Sequence, residues 1–147
     1  MTWTHKHFDE LSPTELYAIL QLRNEVFVVE QQCIFQDADD KDVYSHHVMG
    51  WNNNKLVAYT RIVPPGISYA ESSIGRVVVL RDERKNGTGK ILMQKSVEIL
   101  VNLFGRNAVK IGAQLYLQRF YESLGFRQSG AVYLEDGIEH IEMTLLP

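Results

Sequence analysis

A continuous apolar strand, Ile74–Leu80, runs through the polar segment Arg81–Asn86 into Gly87-Thr88-Gly89, where the next helix opens. No other junction constrains the chain as much. Glycines just before a helix let backbone N–H groups approach a ligand closely, and a helix N-terminus favours negative charge. Arg84, Lys85 and Lys90 add positive charge, so Arg84-Lys85-Asn86-Gly87-Thr88-Gly89-Lys90 reads as a cradle for a phosphate or pyrophosphate. The same residues also suit a plain glycine-softened helix start, and spacing alone does not choose. Two other phosphate loops are excluded. A P-loop needs Gly at 84 and Ser or Thr at 91, where Arg84 and Ile91 stand, and a dinucleotide fingerprint from Gly87 needs Gly or Ala where Leu92 stands.

The elements around that junction follow from period and punctuation. Ser12-Pro13-Thr14-Glu15 is a capping box with Pro at the first helical position, and it opens a helix with Leu16, Ile19, Leu20, Arg23 and Phe27 on one face. Over Val26–Gln31 helical and extended readings compete, because the segment is rich in β-branched residues. His47–Trp51 and Lys55–Val63 form a hairpin around Asn52-Asn53-Asn54. After the glycine loop come a helix with Leu92, Met93, Val97, Leu100 and Leu103 as its stripe, a strand over Ala108–Ala113, and a short helix over Leu115–Leu124 capped by Gly125. Ala131–Leu134 and Ile138–Leu145 flank an Asp136-Gly137 turn. The order α, ββ, β, α, β, α, ββ specifies an α/β class, a mixed central sheet flanked by helices.

Composition narrows the function classes. The chain of 147 residues fits one domain, 1–147, and 45% hydrophobic with 22% charged residues argues against disorder. A net charge of −3 offers no basic field for a nucleic-acid backbone. Cys33 alone excludes a disulfide framework and a multi-thiolate zinc site. Asp37, Asp39, Asp40 and Asp42 fail as a calcium loop, since Lys41 stands at a ligand position and no Gly follows, so no metal is expected. They read as a solubilising loop, with attraction of a cationic ligand as the rival. Apolar runs fall far short of the ~20 residues that span a bilayer, and no signal-peptide core is present. A soluble cytoplasmic protein is the expectation.

Strand Ile74–Leu80 followed by Arg84-x-x-Gly87-x-Gly89 resembles the acetyl-CoA signature of the GCN5-related N-acetyltransferases (GNAT). Phe120-Tyr121-Glu122-Ser123-Leu124-Gly125-Phe126 resembles that superfamily's second signature. Leu22–Gln31, with Cys33 and Asp37-Ala38-Asp39, is similar to its ElaA-like branch. The resemblance covers essentially the whole chain. It implies that acetyl-CoA lies with its pantetheine arm along the backbone of Val77, Val78 and Val79 and its pyrophosphate on the amides of Arg84, Lys85, Asn86, Gly87, Thr88, Gly89 and Lys90. Gln114, at the end of the next strand, would reach the cofactor arm. Tyr121 occupies the position from which the family's tyrosine protonates the departing thiolate. A phenol, ordinarily near 10, can lend a proton or a hydrogen bond to the thiolate of a thiol ordinarily near 8.5 without itself titrating at neutral pH.

The acceptor amine poses the harder problem. With a pKa of about 10, only about a thousandth of it is neutral at pH 7, equivalent to about 4 kcal/mol. Glu30, Asp37 and His140 are the candidate bases, with Glu30 placed where the family puts acceptor-pocket residues. Arg23, Phe27 and Asp37 are the candidate acceptor-binding residues; Arg23, odd on an apolar face, suits a buried ion pair or a pocket role. His46 and His47 point to opposite faces of a strand and read as sheet residues, and Cys33 as a buried filler. The expected reaction is acetyl transfer to a small-molecule or peptide amine by direct attack in a ternary complex, with a homodimer common in such proteins. Two alternatives stand beside it. One is acyl transfer in the manner of acyl-homoserine-lactone synthases, which share a feature like Arg23…Phe27; the other is a CoA-sensing module without catalysis.

Overall fold

The Ser12 capping box forms as its sequence dictates. In the computed structural model, which describes Met1–Pro147, the Ser12 hydroxyl accepts from the Glu15 amide at 3.0 Å, and the Glu15 carboxylate accepts from the Ser12 amide at 2.8 Å. Helix α1, Pro13–Arg23, starts there. The contested stretch beyond it is helical, but widened: Asn24–Glu30 forms π-type turns. Such turns are rare and gather at functional sites; here they swing Phe27 and Glu30 onto one side.

A strand precedes α1 that periodicity alone does not reveal. Strand β1, Thr2–His7, pairs antiparallel with β2, His46–Asn52. Trp3 lies across Gly50, where an added Cβ would come within 2.7 Å of its ring. Strand β3, Lys55–Val63, returns through a two-residue turn, Asn53-Asn54, both at positive φ. Strand β4, Ser73–Val79, completes a four-stranded sheet. The remaining elements are a short 3-10 stretch (Arg81–Asn86), helix α2 (Thr88–Phe104), strand β5 (Val109–Gln114), helix α3 (Gln118–Ser123), and strands β6 (Arg127–Glu135) and β7 (Ile138–Leu145). The short helix expected over Leu115–Leu124 is a 3-10 turn at Leu115–Leu117 running into α3.

The first sheet carries a helix on each face, and β3 shows why. Ala58 and Ile62 join Leu92, Met93 and Leu100 of α2 in one buried cluster, and the Thr60 hydroxyl lies 2.6 Å from that of Ser96. Tyr59, on the alternate face, joins Ile19 and Leu22 of α1 in another. The second sheet is antiparallel with order β5-β7-β6. The two sheets meet at one parallel bridge, Ser72 to Val109, where the Lys110 amide donates to the Ser72 carbonyl at 3.1 Å. From that hinge point β4 and β5 run the same way without further pairing, so the sheet opens into a wedge. No helix is long and apolar enough to cross a membrane.

Candidate active site

The wedge between β4 and β5 holds a cavity of about 980 Å³. Its β4 wall is bulged. Tyr59 faces Val78 and Arg61 faces Gly75, so Arg76 and Val77 together stand opposite Thr60. A bulge leaves one residue out of the ladder and re-aims its neighbours. Val77, Val78 and Val79, expected to meet the pantetheine arm, all line the cavity on this wall. Arg76 adopts φ +48°, a strained conformation for a side chain of its size.

What holds Arg76 there corrects two sequence expectations. Asp37 and Arg23, two of the candidate acceptor-binding residues, do not line the cavity: they stand behind the wall in a buried ion network, the ion pair being one of the two roles expected of Arg23. Arg23 is 0% exposed, donating from Nε to Asp37 at 2.7 Å and from Nη1 to Asp42 at 2.7 Å. Arg76 Nε lies 2.8 Å from Asp37, and its Nη2 donates to the Asp37 carbonyl at 2.9 Å. Arg61 donates to Asp39 at 2.7 and 2.9 Å and to Asp42 at 2.9 Å. The aspartate run is thus no solubilising loop, Asp40 excepted, because three of its members neutralise three arginines. Burial alone would raise Asp39, but the hydrogen bonds and charge of Arg61, with Arg76, outweigh it and hold its carboxyl at about 2.

His47 closes the network from below. Its Nε2 lies 3.0 Å from the Asp42 carbonyl, which can only accept, so Nε2–H donates and Nδ1 accepts from the Tyr59 hydroxyl at 2.6 Å. Burial pushes this imidazole down to about 4. Below pH 6.5 an unfolded chain therefore binds a proton that the fold excludes. Stability should fall by about 3 kcal/mol between pH 6.5 and 4. Urea unfolding across that range is expected to show this slope, and His47→Asn to flatten it; an unchanged slope in the variant would assign it elsewhere.

The loop after β4 supplies the anion seat. Gly87, at φ +71°, turns the chain into α2, and an added Cβ there would meet nothing within 4 Å. Helix α2 has no side-chain N-cap and no acidic residue in its first turn, so its leading amides carry an undiluted partial positive charge. Gly89 and Arg84 reach the cavity, whereas Thr88 is buried with the core. Lys85, Asn86 and Lys90 are exposed at the loop surface. Arg84 does not offer free charge as expected. Its guanidinium grips Glu30 through two bonds of 2.7 and 2.9 Å, and its Nε donates to the Val79 carbonyl at 2.8 Å. Arg84's hydrogen bonds and charge hold the Glu30 carboxyl below its ordinary range. Glu30 lines the cavity, but as a paired carboxylate it is a poor proton acceptor.

The opposite wall comes from α3 and the second sheet. Tyr121 is 4% exposed, set edge-on between Phe120 and Phe126, and lines the cavity. Burial, with the neighbouring Tyr116, pushes its hydroxyl up, so it is protonated at neutral pH. Gln114 also lines the cavity, its amide bonded to that of Gln31 at 3.2 and 3.3 Å. Phe27 lines it from the π-type turns. Cys33, the expected filler, is buried with Sγ 3.2 Å from the Asp136 carbonyl. Sequence reasoning missed Arg61, Arg76, Tyr69 and Tyr133. The signals were an arginine inside each of two apolar strands, and Gly112, where a Cβ would collide with the Tyr133 hydroxyl.

This arrangement, an anion seat at a helix start beside a bulged strand and a buried tyrosine, has known counterparts. The profile of the acetyltransferase (GNAT) domain matches residues 11–147. The chain belongs to the GNAT acetyltransferase family. It falls in the ElaA-like branch, being 45% identical to protein ElaA of Escherichia coli over 97% of its own length and 94% of that protein. The crystal structure of Escherichia coli ElaA superposes with a TM-score of 0.92, 43% identity and 98% coverage of each chain. An acyl-CoA N-acyltransferase from Pseudomonas aeruginosa superposes at 0.93, with 41% identity and 99% coverage of each chain. A third neighbour shares the fold alone. It is an aminoglycoside 6'-N-acetyltransferase crystallised with coenzyme A, with TM-score 0.72, 18% identity, and 97% and 96% coverage. The GNAT fold and an N-acetyltransferase type of activity follow for this chain.

Proposed function

We propose that this GNAT protein transfers an acetyl group from acetyl-CoA to the amine of a small-molecule or peptide acceptor, by direct attack in a ternary complex. The observation that carries the reading is the uncapped start of α2, open above Gly87 and leading through Gly89 into the wedge that Tyr121 closes. The residues fit the cofactor. Amides of Gly87–Lys90 would hold the pyrophosphate, with Lys85 and Lys90 as flanking charges, and Val77–Val79 would flank the pantetheine arm. Acetyl-CoA, when bound, supplies the activated thioester. The register shift at Arg76-Val77 would leave a backbone N–H out of the ladder for the oxygen that gains charge, the kind of preorganised donor that lowers acyl-transfer barriers. Tyr121 Oη holds the proton for the departing sulfur.

Calorimetric titration with acetyl-CoA and with CoA tests this directly. Saturable binding is expected in the wild type. Gly89→Glu should weaken it by about 100-fold or more, equivalent to about 2.8 kcal/mol. At Gly89 a new Cβ would make only ordinary contacts, with the Phe120 ring at 3.6 Å and Val79 at 4.0 Å, and Gly89→Ala, which adds that Cβ without a carboxylate, should bind close to wild type. No binding in the wild type at millimolar acetyl-CoA would overturn the reading.

A further inference from the structure

We propose that His140 is the catalytic base that takes the acceptor's proton, through Nε2, an assignment that rests on the transferase reading above. Strand β7 is the middle strand of the second sheet, and His140 stands in register between Gln114 of β5 and Tyr133 of β6. All three line the cavity. His140 Nδ1 lies 2.7 Å from the Ile138 carbonyl. A carbonyl only accepts, so Nδ1–H is the donor, and in the neutral ring the lone pair is on Nε2. The side chain is 11% exposed, and the ring is stacked on Tyr133 with centroids 5.6 Å apart, which fixes its direction. Nε2 has a carboxylate oxygen of Glu135 at 3.7 Å. That is beyond hydrogen-bond range, so no group of the chain occupies the Nε2 lone pair.

The rivals are engaged elsewhere. Glu30 is held by Arg84, and Asp37 is buried behind the β4 wall between Arg23 and Arg76. The titratable and charged groups around His140 are Tyr133 and Glu135 of β6, Asp136 of the turn, Glu142 on its own strand, Tyr69 across Gly112, and Cys33 against Asp136. Three carboxylates among them suit an acceptor that arrives as an ammonium. The protons balance as follows. His140 Nε2 takes one from the ammonium, leaving the nitrogen lone pair to form the C–N bond as the C–S bond breaks. The second nitrogen proton leaves after attack, and Tyr121 delivers one to the sulfur and is reprotonated. The products are amide, free thiol and one released proton.

Wild type, His140→Ala and His140→Gln would be titrated with acetyl-CoA, then assayed for CoA release with spermidine, L-lysine, a lysyl peptide and an aminoglycoside. All three proteins should bind acetyl-CoA alike. His140→Ala should turn over the best wild-type acceptor about 100-fold more slowly at pH 7. That deficit should shrink as pH rises toward the amine's own pKa, and added imidazole should restore part of the rate. His140→Gln, which keeps a donor for the Ile138 carbonyl, should be as slow as the alanine variant. Turnover unchanged in His140→Ala, or a deficit that neither imidazole nor higher pH relieves, would overturn the assignment. So would acetyl-CoA binding by a wild type that acetylates none of the four amines. A wild type that fails to bind acetyl-CoA would overturn the transferase reading itself.

Discussion

Replacement of Arg23 by methionine should lower the unfolding free energy by about 3–5 kcal/mol, the usual consequence of leaving buried charges without their partner. Domains of this size are stable by roughly 5–15 kcal/mol, so the variant would lose a large share of its stability. Arg23 is the hub of the network, since it alone touches both Asp37 and Asp42 at 2.7 Å. Methionine fills much of the same volume, which confines the effect to charge. With Arg23 gone, Asp42 keeps Arg61 and Asp37 keeps Arg76, but three carboxylates then face two guanidiniums in a largely buried site. Urea unfolding at pH 7 measures this. A loss below about 1 kcal/mol would mean that Arg61 and Arg76 suffice, and the hub description would be wrong. The network also reaches the site. Asp37 and Asp39 are the partners that keep Arg76 at φ +48°, so a variant that folds should bind acetyl-CoA less well through a relaxed β4 bulge.

That coupling was only half legible in the sequence. Arg23 stood out as a charge on an apolar face, and an ion pair was one of its two readings. The partners could not be read, because Asp37, Asp39 and Asp42 looked like any acidic loop, and what turns them inward is Arg61 and Arg76 arriving from distant strands. Local signals fared better. The Ser12 box and the Gly87 helix start each depend on a few adjacent residues and formed as read, and the hairpin read around Asn52-Asn53-Asn54 turns through Asn53-Asn54, with Asn52 still in the strand. Strand β1 escaped for the opposite reason: Thr2–His7 has no strong alternation, and only pairing with β2 makes it a strand. The Glu30–Arg84 pair joins residues far apart in the chain, so a carboxylate that looked like a candidate base turned out to be a clamp. Side chains whose role depends on one loop were visible. Those whose role depends on which distant charge they meet were not.

Tyr121→Phe carries the second large effect. Turnover of any accepted amine should fall about 100-fold at neutral pH, equivalent to about 2.7 kcal/mol of transition-state stabilisation. Acetyl-CoA affinity should stay within about twofold, because the hydroxyl is asked to act only as the sulfur leaves. The fold should tolerate the change. The ring keeps its edge-on contacts with Phe120 and Phe126. Burial raises the Tyr121 pKa, so the hydroxyl stays protonated through the working range and its own ionisation should not shape the pH–rate profile. The two proton carriers therefore separate experimentally. Loss of the His140 imidazole should be relieved as the amine deprotonates itself at higher pH, whereas loss of the Tyr121 hydroxyl should persist, since the sulfur needs its proton whatever the state of the amine. A donor thioester with a less basic thiol should narrow the Tyr121→Phe deficit, because such a leaving group departs readily as the anion. Equal rates for wild type and Tyr121→Phe with acetyl-CoA would remove the tyrosine from the chemistry and leave it a wall of the cavity.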